Sequence, residues 1–281
     1  MENINKLKYI AIVTLCSILD FSLHGITSKI SPGPELSNLS FLAKTIGTLP
    51  VVMLWIFIAY STVAYVFYRY EDKLPGVKST KGLRYGIAIG LLWLWGVVEA
   101  SSISGTTLIH ETMAGLSDGA PVVLMGLLLA TFTIKRISIE NKVKTFNLTN
   151  IFSSVFIFSS VFLVGRYSIY FTKFIKSGYE TRPYSTFIWT LFMGIFVCVI
   201  YNLLGQTTKS SSTLLSAIKF GVIIFGVNWT VFQLFIPLVF EGTLVDIIIR
   251  SIADILFAIL SYYLSESLAI NASKKYNIKC N

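Results

Sequence analysis

Seven of the fourteen acidic residues in this chain, Asp20, Glu99, Glu111, Asp118, Glu241, Asp246 and Asp254, lie within or against long apolar stretches. His24, His110, Arg166, Arg250, Asn228 and Gln233 lie there too. A charge at the centre of a bilayer costs about 2.5–3.5 kcal/mol on insertion scales, so such groups are expected to face one another or water rather than lipid. Helical spacing groups them further. Asp246, Arg250 and Asp254 stand at i, i+4 and i+8, a one-faced ladder of alternating sign. Asp20 and His24 share a face one turn apart, as do His110, Ala114 and Asp118. Counted from the helix starts, Asp20, Asp118 and Asp254 fall near mid-membrane, and His24, Glu99, His110, Glu111, Arg166 and Asp246 fall in the outer half. The spacing therefore predicts a polar cavity opening away from the cytoplasm.

Three kinds of chemistry fit this set. Acids outnumber arginines inside the stretches by seven to two, so a cavity lined by them would attract protons or cations, with His24 or His110 as proton relays. That is the pattern of a secondary transporter for a small solute, coupled to protons or cations. A second reading is purely structural: Arg250 pairs with Asp254, and Arg166 with Asp20 or Glu99, to lock helices together in a scaffold, partner or immunity protein. A third is an intramembrane hydrolase in which Asp118 and Asp254 share a proton. The contexts Leu116-Ser-Asp-Gly-Ala-Pro121 and Ile252-Ala-Asp-Ile255 do not carry the Tyr-Asp and Gly-x-Gly-Asp signatures of diaspartyl membrane proteases. His110-Glu111 is followed by Thr-Met-Ala, so the two-histidine zinc motif is missing, and no serine sits in Gly-x-Ser-x-Gly. Two histidines and three scattered cysteines, Cys16, Cys198 and Cys280, make no zinc, haem or disulfide pattern, and no P-loop occurs. No catalytic residue, metal or cofactor is expected.

The elements that must position these residues are apolar helices. Eight stretches cover Tyr9–Ile26, Phe41–Phe67, Leu83–Ser102, Thr107–Ile134, Ile151–Thr172, Tyr184–Leu204, Leu214–Phe240 and Thr243–Leu264. Each approaches or exceeds the ~20 residues that span a hydrocarbon core. Composition agrees: 54% hydrophobic residues, 13% charged and a mean hydropathy of +0.72 exclude an ordinary soluble core. The expectation is an all-α polytopic membrane protein of eight transmembrane helices. Lys6 and Lys8 precede the first stretch, but no small-x-small cleavage pattern follows, so an uncleaved first helix is expected.

Lysines and arginines set the expected orientation in the cell membrane. With the amino terminus inside, sixteen lie on the cytoplasmic side, from Lys6 to Lys279, against Lys29, Lys44, Lys173, Lys176 and Arg182 outside. Both termini are then cytoplasmic. The net charge of +9 reads as this topology signal plus attraction to anionic lipid headgroups, and no nucleic-acid partner is expected. The chain also reads as duplicated. Gly90-Leu-Leu-Trp93 matches Gly226-Val-Asn-Trp229, Arg84-Tyr85-Gly86 matches Lys219-Phe220-Gly221, and Trp55, Tyr68 and Asp118 correspond to Trp189, Tyr201 and Asp254. Two four-helix repeats, 1–140 and 141–281, would share one orientation about an axis along the membrane normal.

Overall fold

The fold is taken from a computed structural model, which describes residues 2–33, 38–134 and 148–279. The expected boundary at 140/141 and the lysines and arginine between 135 and 144 lie outside the described residues. Among those described, every regular element is helical, apart from one isolated bridge between Leu39 and Phe240. The order is α1 (Glu2–Ile30), α2 (Phe41–Ile46), α3 (Thr48–Tyr70), α4 (Lys78–Ser104), α5 (Leu108–Thr133), α6 (Leu148–Phe171) and α7 (Pro183–Leu204). It continues with α8 (Thr213–Lys219), a π-helical segment (Phe220–Val227), α9 (Asn228–Gln233), α10 (Phe235–Val239) and α11 (Leu244–Lys279).

Seven of these helical units are long and apolar enough to cross a membrane, the seventh being the composite Thr213–Val239. The protein is thus a multi-pass helical membrane protein. Its burial pattern is that of a bundle in lipid: Phe41, Phe152, Phe156 and Tyr184 stand exposed on the flanks, and Asp20, Arg166 and Asp254 are wholly buried. The expected eighth span, α11, is not among the seven, and it carries Asp246, Arg250 and Asp254 near its start. It has 36 residues, so it is about 54 Å long, well over the ~30 Å of a hydrocarbon core.

Short connections make successive rods antiparallel, and polar contacts tie their ends. At one end Ser40 Oγ donates to the Leu238 carbonyl at 2.6 Å, the Glu241 amide donates to the Asn38 carbonyl at 2.8 Å, and Lys44 pairs with Glu241 at 2.8 Å. The hydrogen bond from Lys44 holds the exposed Glu241 carboxyl below its usual range. At that same end Arg182 Nη1 donates to the Ile103 carbonyl at 2.8 Å, satisfying the carboxyl end of α4. At the other end Lys81 reaches the Glu71 carbonyl at 2.9 Å, and Tyr262 reaches the Gly205 carbonyl at 3.3 Å.

Tryptophans join the middle of the bundle. Trp55 on α3 donates its indole N–H to the Val231 carbonyl on α9 at 2.8 Å. Trp189 on α7 donates to the Trp95 carbonyl on α4 at 2.9 Å, and Trp95 returns a bond to the Trp189 carbonyl at 3.1 Å. A buried indole needs a partner for its one polar atom, and here the partners are backbone groups of neighbouring helices.

The closest helix pair is α4 with α5. A Cβ on Gly82, Gly86 or Gly90 would collide with the backbone of Gly126, Val123 and Gly119 respectively, so the glycines permit backbone contact. Glycines of the last composite rod instead make room for α11 side chains, Gly221 for Ile259 and Gly226 for Ile255. Gly86→Val should force α4 and α5 apart and lower stability by about 1–3 kcal/mol, the usual cost of overpacking. Gly25→Ala, with nothing within 4 Å of its added Cβ, should leave the melting temperature in detergent unchanged. Equal melting temperatures for the two variants would mean that the α4–α5 backbone contact does not form.

Candidate functional site

The buried charges separate into two clusters. The first joins α1, α3 and α5. Asp20 and His24 project from one face of α1, and His24 Nε2 lies 2.8 Å from Asp118 Oδ1 of α5. The Tyr60 hydroxyl on α3 is 3.2 Å from Asp20 Oδ1 and 3.0 Å from the Asp118 carbonyl, so one proton serves two acceptors. Asp20 is completely buried, and its Oδ2 has no hydrogen-bond partner. One ligand atom from each of Asp20, His24 and Asp118 lies within 4.8 Å of the others. Asp118 is nearly buried, but the His24 side chain is 38% exposed, so the cluster has one open side. Pro121 lies in the next turn of α5 and has no N–H to offer the Ser117 carbonyl, a local loosening beside Asp118.

The second cluster joins α4, α6, α9 and α11. Arg166 of α6 is wholly buried and grips Asp254 with two prongs, Nε to Oδ1 at 2.7 Å and Nη2 to Oδ2 at 2.5 Å. Its Nη1 donates to Glu99 Oε1 at 3.0 Å, and its guanidinium carbon lies 5.0 Å from the centre of the Trp189 ring. Arg250 donates to the same Glu99 oxygen, to Asp246 Oδ2 at 3.1 Å and to the Lys176 carbonyl at 2.7 Å. Trp229 Nε1 completes Asp254 with a 2.9 Å bond to Oδ2. Trp229 is the second residue beyond the π-helical segment, whose wider turns shift the phase of the helix that follows.

Charge and hydrogen bonding therefore differ between the clusters. Two guanidinium groups face Glu99, Asp246 and Asp254 in the second, and each arginine nitrogen finds an acceptor. In the first, two carboxylates face one imidazole, and one carboxylate oxygen is unmatched.

The expected pairings are partly redrawn. Arg166 does pair with Glu99, one of its two expected partners, but not with Asp20. Among the described residues Arg250 bonds Asp246 and Glu99, not Asp254, whose two oxygens are met by Arg166 Nε and Nη2 from another helix and by the Trp229 indole. Asp118 and Asp254 have separate sets of partners. His110 joins neither cluster; its Nδ1 lies 2.9 Å from the Ser31 carbonyl. Glu111 is buried in the first turn of α5, where a carboxylate suits the amino end of a helix. Asn228 is buried and donates to the Ile224 carbonyl at 2.7 Å. Tyr60, Trp229 and Trp189 were not among the residues expected at the charges; the signal for Tyr60 is a mid-helix hydroxyl that must find an acceptor once buried.

No protein-family model, curated protein or solved structure matches this chain.

Arg166→Met should leave Asp254 and Glu99 short of a cation and lower stability by about 3–5 kcal/mol, as breaking a buried pair does. Arg250→Lys, which keeps charge but loses the fork, should melt between the parent and Arg250→Ala. Thermal unfolding in mild detergent measures both; an Arg166→Met protein as stable as the parent would mean that Asp254 does not depend on that arginine.

Proposed function

We propose that this protein is a secondary, proton- or cation-coupled transporter of a small solute, and that Asp20, His24 and Asp118 hold the coupling ion. The observation that carries the reading is the unmatched carboxylate pair in the first cluster. Buried carboxylates need a cation or a proton between them. At the second cluster Arg166 and Arg250 supply that cation from the chain itself. At the first cluster the half-exposed His24 is the only basic neighbour among the described residues, at most one cation for two carboxylates, so on this reading the remaining positive charge comes from solution.

The proposed topology is eight spans, the seven apolar helices plus α11, in the cell membrane with both termini cytoplasmic and lysines near anionic headgroups. The proposed organisation is two repeats, 1–140 and 141–281. It is supported by contacts that recur with residue offsets of 134 to 136. Trp55 bonds Val231 as Trp189 bonds Trp95. Gly86 meets Val123 as Gly221 meets Ile259, and Gly90 meets Gly119 as Gly226 meets Ile255. The tryptophan bonds cross between the halves reciprocally, as a twofold relation requires, and the glycine contacts recur within each half. On this reading Asp118 and Asp254 are equivalent, and α6 offers Arg166 where α1 offers Asp20 and His24.

A second reading, a non-catalytic scaffold or partner protein, is favoured by the fully paired second cluster, which holds several helices together without any open position. The two combine if one half locks the bundle and the other handles the ion. A diaspartyl hydrolase has no such support, since Asp118 and Asp254 do not share partners.

Orientation is checked with single cysteines. In cells, Glu180→Cys should react with an impermeant thiol reagent and Ser79→Cys should not, in a background with Cys280 replaced by serine. The opposite labelling would invert the proposed topology. For function, the parent protein in liposomes should move protons or a divalent cation down an imposed gradient, read by trapped indicators of pH and metal. Asp118→Asn should fold and move neither. If the folded parent is silent with both indicators, or Asp118→Asn is as active as the parent, the ion-coupled reading fails and the scaffold reading stands.

A further inference from the structure

We propose that Asp20, His24 and Asp118 form a binding site for a first-row divalent metal ion, such as Mn²⁺ or Zn²⁺. The inference rests on the cation-site reading above and names its ion. Three features carry it. The three potential ligand atoms already lie within 4.8 Å of one another; bonds of about 2.0–2.2 Å would set such atoms about 3.3 Å apart, so the wider pairs would close by roughly an ångström while His24 Nε2 and Asp118 Oδ1, now at 2.8 Å, would open slightly. The Asp20 carboxylate is completely buried, yet its Oδ2 has no partner. An acceptor so placed forfeits its hydration and gains nothing in return, unless a proton or a metal ion occupies the space between it and its neighbours, and metal titration separates the two. Finally, His24 is partly exposed, so the cluster is not sealed inside the bundle on that side.

The donor set selects the class of ion. Two carboxylates balance a charge of two, whereas a monovalent ion would leave one negative charge buried. Carboxylates alone suit Mg²⁺ and Ca²⁺, but an imidazole nitrogen shifts preference toward manganese, iron, cobalt, nickel and zinc. Three protein ligands leave at least one coordination position for water or solute, the mark of an exchangeable site rather than a closed structural one. Tyr60 has the part of an outer-shell residue: its hydroxyl holds Asp20 Oδ1 and ties it to the Asp118 backbone. The motif search in the sequence could not find such a site, because one histidine and two aspartates from α1 and α5 make no zinc-ligand spacing.

The test uses full-length protein in mild detergent, stripped of metal and titrated with MnCl₂, ZnCl₂ and, as the hard-ion comparison, MgCl₂. Saturable binding of one Mn²⁺ or Zn²⁺ per chain is expected, with a melting temperature that rises with ion concentration by mass action, and a smaller rise with Mg²⁺. His24→Gln and Asp118→Asn should each weaken binding about tenfold or more. Co²⁺ provides a readout needing no variant, since an imidazole nitrogen in a low-symmetry site gives visible absorption bands shifted and strengthened relative to those of the aqua ion. No saturable binding, no such bands at saturating Co²⁺, or equal affinity in the parent and His24→Gln would overturn the proposal. Proton flux without metal binding overturns this inference alone and leaves transport standing; metal binding without any flux overturns transport and leaves the site.

Discussion

A carboxylate buried in a lipid-embedded bundle must be met by positive charge, and the polar architecture of this protein follows from that constraint. Arg166 meets it for Asp254 and Glu99 through a planar fork held between α6, α11 and α4. Arg250 then finds Glu99 and Asp246, and its remaining donor capacity goes to the Lys176 carbonyl. Four segments of chain thereby converge on one point, and their helices lose the freedom to slide or rotate independently. The pair Asp20 and Asp118 obeys the same constraint with a different residue supply, having His24 and the Tyr60 hydroxyl but no arginine. That contrast, more than either cluster alone, separates a locking function from a binding function.

Packing explains how the clusters are held relative to each other. The glycines of α4 let its backbone touch α5, which fixes Asp118 relative to Glu99 without intervening side chains. Trp93, Trp229 and Phe232 stack between the α4 and α9 sides of the bundle, with Trp229 and Phe232 ring centres 5.6 Å apart. Trp229 belongs to both systems, as a core ring and as a donor to Asp254. Disturbing the aromatic core therefore disturbs the ion pair, and the reverse.

Much of the helix layout was legible in the amino-acid sequence, because a run of apolar residues in lipid has few alternatives to a helix. The stretch Leu83–Ser102 became α4 with a few residues added at each end, and Tyr184–Leu204 became α7 almost unchanged. The break-up of Leu214–Phe240 into α8, a π-helical segment, α9 and α10 was not legible, since hydropathy does not register a change of helical pitch. Nor was the extension of α11 to Lys279, where helix propensity rather than hydropathy decides. At the sites, the i,i+4 pair Asp20 and His24 could be read directly, as periodicity along one helix is a local property. The choice of Arg166 over Arg250 as partner of Asp254 could not, because it depends on which helices lie side by side. Tyr60 escaped for the same reason: nothing in the local sequence says what a mid-helix hydroxyl faces.

The central claim is that the first acid pair has no permanent cation beside it, His24 being charged only when protonated, whereas the second cluster has two arginines. It is tested most directly by comparing the melting temperatures of Asp20→Asn and Asp254→Asn in metal-free detergent solution. Removing one carboxylate charge from the unmatched pair should leave stability unchanged or raise it, whereas removing it from the arginine-held cluster strands Arg166 and should lower stability by several kcal/mol, on the order of a broken buried ion pair. Opposite responses are the predicted result. Equal destabilisation by both substitutions would contradict the account, since it would mean that Asp20 is as fully paired as Asp254.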